Sequence, residues 1–365
     1  MSRNAFRAAI AALCGPWLIA AQDAPHPDVE APYTGPPADE INYPMPPEWA
    51  FVHFRGYELD FEPGDFSYMR GAYPESTAQE QAEWRALSEW LEQCEAVSKF
   101  RLRAELAALG IPRFDPAFVA APYLCRQVPT PKRAFTEVTS HAEIEAALPA
   151  ARLVYQTLIA TSDEAISGFT VRPAGSEPVQ AVSSPGLADE IIADALRWEL
   201  LLNVFEWTEP GYGREPQLGL SPDEVEVLHA MVYSQLVLVE TLNVSLLKDT
   251  IAEQGWPRIS DVGNYAATKA WQIAYNTNNL AFQVEAMRAM EPLLDSGEVE
   301  KRDYAMLFDL VHFLTTGKQL YGTLESCVDG RLVTDPVEDA AGLDARRPGM
   351  GLQPLAERLD WQLDC

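Results

Sequence analysis

The chain has 365 residues, of which 47% are hydrophobic, so it is long enough to bury one large core or two ordinary ones. Its formal net charge is −27, and so acidic a protein repels nucleic acid and anionic lipid headgroups. We therefore predict that nucleic acid is not a partner.

The first 21 residues have the pattern of an export signal. Arg3 and Arg7 form a positive start, the run from Ala8 to Ala20 is apolar, and small residues precede Gln22. The apolar run is too short to span a bilayer. We predict a signal peptide over residues 1–21, no membrane span, and a periplasmic or secreted location. A buried first helix and a lipid anchor in this run are the alternatives.

Four cysteines follow the predicted cleavage site, and an even number in an exported chain indicates two disulfides. Sequence order favours one local bridge in each half, Cys94–Cys125 and Cys327–Cys365, although four cysteines allow three pairings. A zinc site is the rival interpretation. The cysteines form no close pair and have no histidine nearby, so we predict no metal and no cofactor.

Apolar spacing and turn residues predict the following elements. From Trp49 to Tyr73, aromatic residues broken by Pro and Gly indicate short strands or a packed loop, with an aromatic sugar-binding platform as the alternative. Periodic apolar residues then predict a long helix over 77–109. Further helices are expected near 140–161, 187–207, 221–254, 265–276, 281–294, 302–315 and 355–363. Asp329-Gly330, between two β-prone runs, predicts a small hairpin.

These elements predict a mainly α fold, a multi-helical array or bundle with a small β-hairpin near the C-terminus. The polar stretch 162–186, with Gly and Pro, is the clearest internal boundary. We therefore expect a Pro-rich linker over 22–48, an N-terminal helical region with an aromatic-rich loop over 49–186, and a C-terminal helical domain over 187–365.

The C-terminal half contains short motifs in a fixed order. They are Glu240, Asn243 and Lys248, Gly255-Trp256-Pro257, Ala270-Trp271, Phe282-Gln283, Asp309, Gly317-Lys318, Tyr321-Gly322-Thr323, Asp335-Pro336, Asp344-Ala345-Arg346-Arg347 and Gly351-Leu352. On these motifs, from about residue 197 to 359, the chain resembles an uncharacterised bacterial domain-of-unknown-function family. No activity is known for that family, so the resemblance implies no catalytic role.

One departure from the family pattern concerns histidine. Family members usually show a Gln-His-Ala-Asp type run after the Ala-Trp pair, where this chain has Tyr-Asn-Thr-Asn-Asn over 275–279. Asparagine cannot relay a proton or bind zinc as histidine does. If that histidine is functional in the family, this copy has lost the activity and kept the fold.

Two apolar helical runs are each interrupted by polar residues at three-residue spacing. Asp309 and His312 interrupt one run, and Glu240 and Asn243 interrupt the other. Burying such groups is costly unless they find partners. The pattern indicates either structural hydrogen bonds, which we favour, or an acid–base pair that faces a cleft.

If the two helices meet, their polar residues form one convergent set, which is the usual pattern of a binding site. The candidate catalytic residues are Asp309, His312 and Glu240. The candidate ligand-binding residues are Asn243, Lys248, Asn276, Asn278, Tyr321 and Arg346. For the Arg346-Arg347 pair, neutralisation of nearby acids is the favoured alternative. Because Gly255 and Pro257 end the helix that carries Glu240, we expect a ligand in the angle of this Gly-Trp-Pro corner.

Phosphate-binding loops and the motifs HExxH, GxSxG and CxxC are absent from the sequence. Their absence argues against nucleotide enzymes, metalloproteases, common serine hydrolases and redox carriers. Two hypotheses remain. The first is an exported helical binding or interaction module for a small molecule or an envelope protein. The second is a hydrolase-type enzyme, active or degenerate in this copy, that uses the Asp, His and Glu cluster. Oligomeric state stays open.

Overall fold

The computed structural model of the chain describes residues 33–355 and residue 357, except residues 56–57, 60, 112–113, 115–127, 171–181, 210–218 and 329. The predicted signal peptide, Cys125, Cys365 and most of the last predicted helix lie outside these residues. In the described part the helices are α1 (Ala78–Ala108), α2 (Pro131–Ala134), α3 (His141–Thr170), α4 (Pro185–Thr208), α5 (Pro222–Gln254), α6 (Ile259–Val262), α7 (Asn264–Asn276), α8 (Leu280–Met290), α9 (Lys301–Thr316) and α10 (Leu343–Arg346). The mainly helical fold class is confirmed.

Helix α5 begins and ends where its sequence signals predict. Ser221 and Glu224 form a capping box, in which the Ser221 N–H donates to the Glu224 carboxylate at 2.6 Å. Gly255 ends the helix with φ of 84°, a left-handed conformation that favours glycine. Its backbone N–H donates to the carbonyl of Ile251, so the helix end is satisfied.

Helix α3 is longer than the sequence predicts, because it continues to Thr170 rather than ending near residue 161. Hydroxyl residues in its second half bond back to their own helix instead of breaking it. Thr157, Thr161 and Ser162 each donate to the carbonyl four residues earlier, at 2.6–2.8 Å. The polar composition that suggested a loop is therefore accommodated inside the helix.

The aromatic-rich stretch before α1 is a packed loop with short 3₁₀ segments and a two-residue strand pair, β1 (Phe54–Arg55) with β2 (Glu58–Leu59). Phe61, Phe66 and Tyr68 are buried, and the rings of Phe61 and Tyr68 stack with centroids 4.1 Å apart. These aromatic side chains form core against α1 and α5, so they are not free to form a sugar platform.

Two hydrophobic clusters make up most of the core. The first joins the aromatic loop with parts of α1, α3, α4 and α5. The second joins α7, α8 and α9 with the ends of α1 and α5 and the start of α4. Helices α1, α4 and α5 therefore contribute to both clusters. The domain division at residues 186 and 187 stays a prediction, but the packing on its two sides shares these three helices.

Helix α5 is long and apolar enough to cross a membrane by length and composition, and it is the only such helix in the described residues. Of its most apolar window, 61% is buried inside the protein. The core helix of a soluble protein and a membrane-spanning helix share this length and composition.

The predicted hairpin is confirmed as β3 (Glu325–Val328) paired antiparallel with β4 (Arg331–Thr334). Gln319, which is fully buried, ties the loop before it to the segment after it. Its side-chain amide donates to the carbonyls of Leu324 and Asp335, both at 2.9 Å, and accepts from the Leu324 N–H. The hairpin is thereby fixed next to the C-terminal end of α9.

Candidate functional site

Asp309 lies on α9, is completely buried, and binds the loop that follows the helix. One carboxylate oxygen accepts from the backbone N–H groups of Leu320 and Tyr321, both at 2.8 Å. The other accepts from the N–H and hydroxyl of Thr323, at 2.9 and 2.8 Å. A carboxylate has about four acceptor positions, and here all are used. Asp309 therefore acts as an anchor of the loop over 318–324.

His312 faces a different direction from Asp309. Its Nε2 lies 2.9 Å from a carboxylate oxygen of Glu338, and its ring stacks on Phe308 with centroids 5.5 Å apart. The His312 side chain is 26% exposed and that of Glu338 is 55% exposed. Residues three apart differ by about 60° around a helix axis, which here separates an inward Asp309 from a surface His312.

The polar pair on α5 is buried but also divided. Glu240 accepts a hydrogen bond from the backbone N–H of Asn278 at 2.9 Å. Asn243 instead points to α4, where its amide nitrogen lies 3.4 Å from the carbonyl of Asp194, and its Oδ1 has no hydrogen-bond partner among the described residues. Glu240 thus holds the turn between α7 and α8.

Two other predicted ligand residues make local contacts. The Asn276 amide donates to the carbonyl of Gln272 in its own helix at 2.8 Å. Lys248 lies near Glu105 on α1; burial raises the pKa of that carboxyl, and the charge of Lys248 partly offsets the rise. Neither side chain joins Asp309 or Glu240 in the contacts of the described residues.

The arginine pair holds the same loop as Asp309, from the other side. Arg346 donates to the carbonyl of Leu320 at 3.0 Å and to Asp339 at 2.6 Å. Arg347 is 1% exposed and donates to the carbonyls of Tyr321 and Gly322 at 2.6 and 3.0 Å. The structure thus brings Asp309, Tyr321 and Arg346 together around one loop, away from the Glu240–Asn278 contact.

A cleft lies at the Gly-Trp-Pro corner, in the angle that the sequence singled out. This corner cleft encloses only about 10 Å³ and is partly open to solvent. Its walls come from the corner itself, α6, α7, the end of α8 and the start of α9. The lining residues are Trp256, Ile259, Asn264, Ala267, Thr268, Trp271, Met290, Val299, Glu300 and Asp303. None of the predicted catalytic or ligand-binding residues is among them.

Trp271 lines the corner cleft and is a packing residue. It is 6% exposed, and its buried indole N–H has no hydrogen-bond partner among the described residues. Leaving a buried donor unpaired costs about 1–3 kcal/mol. The sequence could not predict this unpaired donor.

Asp303 gives the cleft a carboxyl group with an altered pKa. The pKa of Asp303 is raised from 3.8 to about 6, mainly by burial and then by the neighbouring charge of Glu300, while Arg302 opposes the shift. Asp303 and Glu300 were missed because they belong to the charged run Glu300-Lys301-Arg302-Asp303, which is typical of a solvated helix start. Their three-residue spacing was the available signal.

In the described part of the chain, no three His, Cys, Asp or Glu side chains come close enough together to hold a metal ion. The cleft carries only the two carboxylates Glu300 and Asp303 among potential ligands of this kind. Its remaining polar side chains are the amide of Asn264 and the hydroxyl of Thr268, which suit hydrogen bonding to an organic ligand.

Asp309→Asn tests the anchor interpretation. The substitution turns one acceptor oxygen into an NH₂ group that meets backbone N–H donors. We expect it to lower the free energy of unfolding by at least about 2 kcal/mol, measured by urea denaturation. The control is Glu338→Gln at the exposed partner of His312, for which we expect a change below about 1 kcal/mol. An Asp309→Asn protein of unchanged stability would contradict the anchor.

Asp303→Asn tests the electrostatics of the cleft. The folded pKa is about 6 and the ordinary value is 3.8, so ionisation destabilises the folded chain progressively between about pH 4 and 6. The variant lacks that penalty. We expect it to be more stable than the natural protein by about 1–3 kcal/mol at pH 8, and no more stable at pH 3.5. A gain that is equal at both pH values would refute the raised pKa.

Comparisons with known proteins bear on the part of the chain that contains the corner cleft. No curated protein and no solved structure matches the chain. The resemblance expected over about 197–359 is confirmed, with somewhat different limits. Residues 224–364, which include every residue that lines the cleft, match a family of unknown function, DUF6624.

Proposed function

We propose that this protein is a helical binding module and that the corner cleft is its ligand site. The observation that carries the proposal is the lining of the cleft, in which Trp256 and Trp271 lie with the carboxylates of Glu300 and Asp303 at the corner after α5. Concave sites that combine apolar walls with a few polar groups are the usual places where proteins bind ligands.

The size of the cleft limits what it accepts. Pockets for drug-sized ligands usually enclose about 300–1,000 Å³, whereas the corner cleft encloses only about 10 Å³. It therefore suits the end group of a ligand whose remaining atoms extend into solvent. A small metabolite and a side chain of an envelope protein both meet this limit.

The hydrolase alternative based on Asp309, His312 and Glu240 has little support from their contacts. Asp309 uses its acceptor positions on a loop, Glu240 accepts from a backbone N–H, and His312 pairs with Glu338 at the surface. General acid–base catalysis requires a group within hydrogen-bond reach of a substrate. We therefore base the proposed function on binding at the corner cleft.

Filling the cleft tests the proposed function. Ala267 lines the cleft and is buried, so Ala267→Leu should block it; Thr268→Leu is a second blocking variant. A ligand at 100 times its Kd stabilises the folded state by about 2.7 kcal/mol, which raises the Tm by several degrees. In a thermal-shift screen of metabolites and cell-wall fragments, we expect hits with the natural protein that both blocking variants lose.

The matched control is Ala252→Leu on the exposed face of α5, which should keep the shifts of the natural protein. Folding of each variant is checked by circular dichroism before the screen. Ligands that stabilise the blocking variants as much as the control would place binding elsewhere and refute the corner cleft as the site.

We also propose that the protein is exported. The support is the signal pattern of residues 1–21 and the four cysteines that follow it. Two of these cysteines, Cys94 and Cys327, lie in the described part of the chain. Their proposed partners, Cys125 and Cys365, lie outside the described residues. Bridges of this kind persist in the periplasm and outside the cell.

Intact-mass measurement of the full-length chain expressed in a bacterial host tests export and oxidation together. We expect a mature protein that begins at Gln22, takes up no iodoacetamide before reduction, and takes up four adducts after it. Peptide mapping then separates Cys94–Cys125 and Cys327–Cys365 from the other two pairings. An uncleaved, fully reduced chain in the cytoplasmic fraction would refute export.

A further inference from the structure

We propose that one side of α1 is a docking groove for an acidic, proline-rich segment of a partner protein, and that residues 33–47 of this chain occupy the groove as an internal competitor. We call residues 33–47 the strap, and the side of α1 that they cover the strap groove. None of the residues that line the corner cleft belongs to α1, so this inference goes beyond the proposed function and does not depend on it.

The strap is an extended, proline-rich segment. Five of its 15 residues are proline, and it has no regular structure apart from one 3₁₀ turn over Ala38–Glu40. Ile41, which follows the turn, is extended, and Pro47 at the end of the strap has φ of −56° and ψ of 139°. These angles are close to those of polyproline II, a conformation that proline-rich recognition segments adopt before they bind. The strap therefore has the conformation of a peptide ligand.

The strap groove contacts the backbone carbonyls and the tyrosines of the strap. The indole N–H of Trp90 donates to the carbonyl of Pro44 at 2.9 Å, and Arg101 donates to the carbonyl of Ile41 at 2.6 Å. The Arg101 guanidinium also lies over the ring of Tyr43, 5.1 Å from the centroid. Aromatic-lined grooves are a recurrent means of binding proline-rich segments. Because every residue has a carbonyl, a segment of another sequence can make the same hydrogen bonds.

Most of the strap lies at the surface, whereas the side chains beneath it are buried. Trp90 is 5% exposed and Ser98 is fully buried, and the Ser98 hydroxyl donates to that of Tyr43 at 3.3 Å. Within the strap only Ile41 is buried. Among the described residues, each hydrogen bond between the strap and α1 involves a side chain. Segments with so few buried apolar contacts detach at a lower free energy than global unfolding, so we expect the strap to be displaceable.

Charge favours an acidic occupant of the strap groove. The strap contains two acidic residues, Asp39 and Glu40, and no lysine or arginine. On α1, Arg101 and Arg103 both contact its tyrosines, and Arg103 lies 5.9 Å from the ring centroid of Tyr33. The chain has 54 acidic and 27 basic residues, so two arginines on the docking side are a local exception to its charge. Opposite charges across an interface select an acidic partner over a basic one.

The covalent link between strap and groove makes the strap a strong competitor. A segment tethered by a short link acts at an effective concentration of about 1 mM. A partner segment at micromolar concentration therefore displaces the strap only if it binds more tightly. A variant with a weakened strap removes this obstacle. Ile41→Ser takes away the buried apolar anchor, leaves every groove side chain in place and keeps the carbonyl to which Arg101 donates.

Peptide binding to the full mature chain tests the docking site. The first probe is a fluorescent peptide with the sequence of residues 33–47. The second keeps only its prolines, its acids, its isoleucine and its Tyr-Pro pair, with alanine elsewhere, and the third has its two acids replaced by lysine. Binding is measured by fluorescence anisotropy at pH 7.5. We expect Ile41→Ser to bind the first peptide about tenfold more tightly than the natural protein does, the second within about threefold of the first, and the third about tenfold more weakly.

Further substitutions in the Ile41→Ser protein assign the contacts. Arg101→Ala should weaken binding of the first peptide about tenfold, because it removes a charged hydrogen bond. Trp90→Phe should weaken it about fivefold, because the ring remains and the N–H is lost. Arg85→Ala is the matched control, an exposed arginine on the same helix, and should leave binding unchanged. In the natural protein, the Trp90 indole proton should exchange with solvent much faster than the buried amides of α1, because the strap opens locally.

The outcomes separate this proposal from its alternatives. A folded Ile41→Ser protein that binds none of the peptides, or that responds alike to Arg101→Ala and Arg85→Ala, would refute the groove. Equal binding of the acidic and basic peptides would overturn the acidic partner. If Ile41→Ser unfolds, the natural protein decides, because a Trp90 indole proton that exchanges only on global unfolding would show a permanent strap and refute the proposal.

Two further measurements exclude other occupants and the corner cleft. Concentration-dependent dimerisation of the natural protein that Ile41→Ser abolishes would make a second copy the occupant and overturn the partner protein. Ala267→Leu, which blocks the corner cleft, should leave peptide binding to the Ile41→Ser protein unchanged. Failure of the strap groove and failure of the proposed function are therefore distinguishable.

Discussion

The four hydrogen bonds of the Asp309 carboxylate are the interaction on which the C-terminal part of the structure depends. They fix a loop to α9, and that loop leads directly into the hairpin. Arg347 donates hydrogen bonds to backbone carbonyls of the same loop. Asp309 therefore pairs with the amide donors of the loop, and Arg347 pairs with its carbonyl acceptors. A buried charge is tolerated there because the protein replaces the hydrogen bonds that water would make.

A second aspartate on the same helix, Asp303, lies in an environment that disfavours its charge. Asp303 lies six residues before Asp309, about 9 Å along the helix axis. It faces burial and the charge of Glu300 without comparable donors, and its pKa rises to about 6. In the middle of α9, Asp309 is thus stabilised by its hydrogen bonds, whereas Asp303 in the first turn carries an electrostatic penalty. Such strain is characteristic of sites that gain stability when a ligand binds.

Turns and helix limits could be predicted because their signals are local. The capping box at Ser221, the helix end at Gly255 and the hairpin of β3 and β4 each depend on a few adjacent residues. The two polar pairs, on α5 and α9, do not converge on one site, and the reason is physical. Three-residue spacing places two side chains on roughly one face, but their partners are set by tertiary packing. Asp309 accepts hydrogen bonds from the backbone amides of a loop, and Asn243 donates one to a carbonyl of α4.

The sequence predicts the position of the corner cleft but not the residues that line it. Gly255 and Pro257 indicated a sharp change of direction, and a cleft is present in the resulting angle. Its polar groups come from segments that sequence gave no reason to join. Trp271 belongs to the Ala-Trp motif, and Glu300 and Asp303 belong to a charged run. Only folding, which brings α7 and the start of α9 together, makes these residues neighbours.

The part of the chain that matches the family does not contain its whole core. The second hydrophobic cluster includes Leu102 and Leu106 from α1 and Ile191 from α4, all of which precede residue 224. These side chains are at most 2% exposed, and they pack with Leu247 and with the helices that form the cleft walls. Removing the preceding helices would expose apolar surface at about 25 cal/mol for each Å². The geometry of the corner cleft is therefore a property of the longer chain, and the N-terminal helices support the site without lining it.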